Sequence, residues 1–134
     1  MTLTLIIFEC SGFNPEIAAR SVPCADRIIV LKERDLTGLN IETDWFGYLM
    51  ANEAIDYQLA KALPTFFQSE YDCLVLFKLS STGGFITPRF YRKGIEFESG
   101  SLYPSVLDSG NIKITRVLNG LIVDAPNGHD RIPS

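Results

Sequence analysis

Asn52 and Glu53 are adjacent in this chain, and Asp56 follows three positions on. Oxygen-bearing side chains at that spacing suit a hard divalent cation or the diphosphate it would bridge. The same residues have a structural use: Asn52 as a helix N-cap, Glu53 as a first-turn acid, Asp56 as a solvated charge. A basic group follows later, with Arg89, Arg92 and Lys93 inside Phe85–Lys93. Guanidinium forks there would clamp a phosphate or a partner's carboxylates, and charges on an edge strand also discourage sheet-to-sheet pairing. Cys10, in Glu9-Cys10-Ser11-Gly12, would need an activating base to act as a nucleophile. No histidine lies near it in sequence; His129, near the C-terminus, is the only one. Ser80-Ser81-Thr82-Gly83-Gly84 could nest an anion on backbone N–H groups, although a mobile loop is the simpler account.

Composition narrows the function classes. A chain of 134 residues, 46% hydrophobic and 21% charged, is one domain's worth and can bury a single core. The net charge of −4, without a Lys/Arg cluster, argues against a nucleic-acid partner, whose binding rests on neutralising phosphates. No apolar run reaches the roughly 20 residues of a membrane span. The segment Met1–Leu5 reads as strand rather than leader, so the expected location is cytoplasmic. Three dispersed cysteines, with no CxxC pair, suit reduced thiols and fit neither a zinc site nor a disulfide framework.

The elements that must position these residues follow from periodicity. Leu3–Phe8 and Arg27–Lys32 are apolar runs expected as buried strands. Between them Asn14-Pro15-Glu16 starts a short helix that Pro23 ends, with Ile17, Ala18, Ser21 and Val22 inward. Glu33–Asp44 is a mixed connection. Trp45–Met50 is a third strand, after which Asn52 caps a helix whose stripe is Ile55, Leu59, Ala62 and Leu63, limited by Pro64. Cys73–Leu79 is a fourth strand, and Phe85–Lys93 an extended piece placed at an edge or bend by Pro88. Asn119-Gly120 between apolar runs predicts a hairpin. The aromatic residues Trp45, Phe46, Tyr48, Phe66 and Phe67 are expected as core. The expected fold is α/β: a single domain over 1–124 and a tail over 125–134. Its mixed sheet is parallel in the N-terminal half and ends in a C-terminal antiparallel hairpin.

Three segments in this order carry a resemblance: Cys24–Leu31 (CADRIIVL), Trp45–Glu53 (WFGYLMANE) and Thr87–Gly94 (TPRFYRKG). Together they resemble family-two glycosyltransferases of the GT-A fold, in which matching strands carry a nucleotide-reading Asp and a metal-binding DxD motif. The resemblance implies a GT-A-like scaffold, a nucleotide-sugar ligand and a Mn²⁺ or Mg²⁺ cofactor bound near Glu53. Met50 and Asn52 stand where the DxD carboxylates would be, Leu31 or Lys32 where the Asp would be, and Tyr103-Pro104 where the family has His-Glu. Glu33–Asp44 is also too short for the unit that completes the family's nucleotide pocket.

These departures lead to a degenerate, glycosyltransferase-like protein without transfer activity that serves as a binding or partner module, with a protein partner or as a homodimer, and with no cofactor. The alternatives are an active minimal transferase using Glu53 and Asp56 as metal ligands with Asn52 assisting, and an unrelated α/β interaction domain. The ligand-binding candidates are Asn52, Glu53, Asp56, Arg89 and Arg92. No metal is expected, and Asn52 and Glu53 are the residues that would hold one.

Overall fold

The strands from the two halves of the chain join one curled sheet in this computed structural model, which describes residues 1–125. In chain order the elements are β1 (Leu3–Phe8), α1 (Pro15–Ser21), β2 (Arg27–Leu31), β3 (Trp45–Met50) and β4 (Glu53–Ile55). They continue with α2 (Tyr57–Phe67), β5 (Cys73–Ser80), β6 (Gly83–Arg92), β7 (Ile114–Arg116) and β8 (Ile122–Asp124). The strand order is β2-β1-β3-β6-β5-β8-β4, with β7 also paired to β5. β4 is last in that order, yet only Ala51 and Asn52 separate it from β3 in the chain. The sheet must therefore curl to bring its far end back to β3.

As the apolar runs predict, β2, β1 and β3 are parallel. β1 is buried along its whole length because both faces are covered. One face carries Leu3, Leu5, Ile7, Trp45 and Leu49 beneath α1 and α2. The other carries Ile6, Phe8, Phe46, Tyr48 and Tyr91, beneath the connection that brings in Leu36 and the segment that brings in Phe97. α1 begins as expected: Asn14 Oδ1 accepts from Glu16 N at 2.9 Å and Pro15 follows.

Five expectations differ from what is observed. β2 is an edge strand, and α1, only seven residues long, leaves Ile28 and Val30 exposed. Asn52 does not cap α2: Glu53–Ile55 turns aside to pair with β8, and Asp56 is the cap, accepting from Leu59 N at 2.9 Å. Ile55 is thus a strand residue, and of the predicted stripe Leu59 and Leu63 are the buried helical members, joined by Ala60 and Phe67. The helix also runs through Pro64 to Phe67, whose ring is packed on Trp45 and Phe90. Pro88 lies not at an edge but in β6, a central strand, and the expected bend is a bulge opposite Leu74 and Val75 of β5, with Arg89 as the extra residue, which tolerates the missing N–H.

The fifth difference concerns Asn119-Gly120, which do not form a hairpin. β7 and β8 each lie parallel to β5 and do not pair with one another, so the intervening loop merely carries the chain along β5. Gly120, at φ 115°, packs against Asp56 and Leu59, where a Cβ would clash. The antiparallel hairpin of this half is β5–β6, turning at Ser81-Thr82.

Candidate functional site

Glu53 stands at the centre of the polar residues that the curled sheet gathers. It is 1% exposed, and β4 carries it into the gap where β6 leaves β3. β3 and β6 pair only as far as Gly47 and Phe90. Trp45 N and Ala51 N both point to β1, so the even-numbered backbone groups of β3 point away from it, toward that gap. Two of them would lack partners there, and side chains supply them. Arg89 Nη1 donates to Tyr48 O at 3.4 Å, and Met50 N donates to Glu53 Oε1 at 2.8 Å.

The carboxylate is then saturated. Glu53 Oε1 also accepts from Arg89 Nη1 at 2.6 Å, and Oε2 accepts from Arg89 Nη2 at 2.8 Å and from Lys78 Nζ at 2.5 Å. A carboxylate offers about four lone-pair sites, and here four donors occupy them. Asp124 lies 3.6 Å from Lys78 Nζ, so two cations and two carboxylates balance. The Arg89 guanidinium lies 4.7 Å from the centre of the Tyr48 ring and also donates to Thr87 Oγ1 at 3.3 Å. Burial alone would raise the Glu53 carboxyl's pKa. The hydrogen bonds and charge of Arg89, with those from Lys78 and the Met50 N–H, more than offset it and hold the group at about 2. Burial would pull the Arg89 guanidinium down, and Glu53 pushes it up instead.

The other candidates are similarly engaged. Asn52 is half-buried; its Oδ1 lies 3.7 Å from Cys10 Sγ and its C=O accepts from Ala125 N at 2.8 Å. Asp56 is the α2 cap described above. Arg92 does not join Arg89 in an anion clamp. It bonds Asp72 and the carbonyls of Ser69 and Tyr71, with its guanidinium 4.7 Å from the Trp45 ring centre. Lys93 is exposed beside a separate cavity of about 410 Å³ that Leu36, Ile41, Phe46 and Phe97 help to line. Ser80–Gly84 is the β5–β6 turn, in which Ser80 Oγ bonds Gly83 O and lies within bonding distance of Thr82 Oγ1. His129 lies outside the described residues.

Cys10 and Asn52 do meet, at the carboxyl ends of β1 and β3. The chain leaves β1 for β2 through α1 on one face and returns to β3 across the other, making a topological switch point there. The root of that crevice is tied shut by Ala51 N donating to Phe8 O at 2.8 Å. Among the described residues no group of three or more His, Cys, Asp and Glu side chains could hold a metal ion, and no helix is long and apolar enough to cross a membrane. Sequence reading missed Lys78 and Tyr48 as members of the polar cluster. Lys78 is the one charge in an otherwise apolar strand run, and that was its available signal. No known family model matches the chain, and no curated protein matches it.

Proposed function

We propose that this chain is a glycosyltransferase-like scaffold that has lost sugar transfer and works as a binding module. The observation that carries the reading is the saturation of Glu53. It is the only carboxylate at the position where a DxD motif would hold a dication, and its four acceptor sites are taken by Met50, Arg89 and Lys78. A metal would have to displace a buried, bidentate guanidinium to reach it. The parallel β2-β1-β3 order and a strand ending at Met50 are features that such a scaffold would keep. Exposed apolar residues, Ile28 and Val30 on β2 and Phe77 and Ile86 on the β5–β6 hairpin, support a binding role.

Isothermal calorimetry with UDP-, GDP- and dTDP-sugars in the presence of Mn²⁺ tests the proposal. No saturable heat is expected. Saturable, metal-dependent binding in the micromolar range, with sugar-nucleotide hydrolysis abolished by Glu53→Ala, would instead establish an active minimal transferase.

A further inference from the structure

The free edge of the sheet carries a pattern that complements itself. Among the described residues β2 pairs with β1 alone, so a row of its backbone N–H and C=O groups is open to another strand. α1 packs on β1, β3 and β4 rather than over β2, which leaves Ile28 46% and Val30 45% exposed. By strand alternation Ile28 and Val30 share the face toward the helices, and Asp26 and Lys32 are the exposed residues at the bends that flank the strand. The Asp26 carboxylate is held at the strand's start, where Oδ2 accepts from Leu3 N at 2.8 Å.

We propose that β2 is a homodimerisation edge. It pairs antiparallel with β2 of a second copy across a two-fold axis at Ile29. In that register Ile28 lies opposite Val30 of the other copy, and Val30 opposite its Ile28. The flanking Asp26 and Lys32 are brought toward Lys32 and Asp26 of the other copy at the two ends of the strand pair. The row reads acid, apolar, apolar, base, so reversal brings unlike charges together at both ends and apolar side chains together between them. That is the isologous contact a two-fold requires. Any other antiparallel register breaks one of these matches, and a shift by one residue disrupts the facing of every pair. A second copy therefore suits this edge better than a strand of unrelated sequence. The proposal does not depend on the glycosyltransferase-like reading.

A five-residue strand on each side falls short of the roughly 800 Å² per partner of a standard stable interface. The dimer is accordingly weak, with dissociation in the micromolar range or above.

Sedimentation equilibrium of the full chain over a wide concentration range is the test. A monomer–dimer equilibrium is expected. Val30→Lys should weaken it at least tenfold, and Lys32→Glu, which sets acid against acid at both ends, should weaken it several-fold, less so in high salt. Both sites are exposed, and circular dichroism checks that each variant is folded. In a background with Cys10→Ser and Cys24→Ser, mild oxidation should cross-link Ile29→Cys, which lies opposite its own copy, and not Arg27→Cys, which lies opposite Leu31. A protein monomeric throughout the range would overturn the proposal and leave the edge to a strand of some other protein. So would a dimer unaffected by both charge variants, or cross-linking through position 27 rather than 29.

Discussion

Replacing Glu53 by Gln keeps the side chain's size and removes its charge, so it isolates what the buried carboxylate contributes. The carboxyl is held at about 2 against an ordinary 4.5. At about 1.4 kcal/mol per unit this corresponds to about 3 kcal/mol of stability at neutral pH. Because the folded-state value is depressed, that contribution is complete above about pH 4.5 and is lost as the pH falls through about 2. A second route agrees: removing one partner from a buried ion pair strands the other charge and costs about 3–5 kcal/mol. Here Arg89 and Lys78 would be left buried, with only the half-exposed Asp124 near Lys78. Urea unfolding followed through Trp45, the only tryptophan and fully buried, provides the assay. Glu53→Gln should cost about 3 kcal/mol at pH 7, equivalent to roughly 10 °C in melting temperature for a domain of this size. By pH 3 the penalty should shrink to about 1 kcal/mol, since the native carboxylate is by then losing its own advantage. A penalty below about 1 kcal/mol at pH 7, or one equal at both pH values, would refute the reasoning.

Two further outcomes are expected. Gly47→Ala would place a Cβ 2.2 Å from the Phe90 ring and 2.8 Å from Arg89 O, so chemical denaturation should show a loss of about 1–3 kcal/mol. An unchanged midpoint would mean that β3 and β6 are not packed as described. Cys73 is buried and its thiol is pushed up to about 12, chiefly by burial and then by Asp72, whereas Cys10 and Cys24 are half-buried. An aromatic disulfide reagent should label Cys73 only as fast as the protein unfolds, and three thiols reacting at one rate would contradict this.

The long-period features of the fold were legible in the sequence, and the pairings between distant segments were not. Apolar runs at Leu3–Phe8 and Trp45–Met50 declare strands covered on both faces, and Asn14-Pro15 announces a helix start. The run Ile28–Leu31 gave the right element and the wrong burial. A strand looks equally apolar whether a helix covers it or not, and the reach of α1 is a matter of its length and angle. Asn52 suits a cap because Asn, Glu and Asp fit a helix start in close succession. Asp56 can cap as well, and the choice between them was made by β8, whose pairing with Glu53–Ile55 lies nearly 70 residues away in the chain. Asn119-Gly120 failed for a similar reason: a local turn preference yielded to the parallel pairing of both neighbours with β5. At the site, Glu53 and Arg89 were both identified from sequence, but as separate candidates for a metal and an anion. Nothing in their spacing indicated that each is the other's ligand.

That mutual occupation follows from how the sheet closes. A curled sheet whose third strand loses its neighbour partway along must satisfy the backbone groups left at the gap. Backbone cannot supply both, because beyond Phe90 the bulge turns β6 aside and makes Arg89 the extra residue. The guanidinium therefore reaches the Tyr48 carbonyl, and Glu53 accepts from the Met50 N–H. Placed there, each ion needs the other, since an unpaired charge in a dry gap costs far more than the hydrogen bond it makes. Lys78 and Asp124 complete the neutrality from β5 and β8. The acid whose place at a strand end would suit a cation is thus committed to closing the sheet. Freeing it for a ligand would open the gap between β3 and β6, so the cost of exposing this carboxylate is the loss of the sheet's closure there.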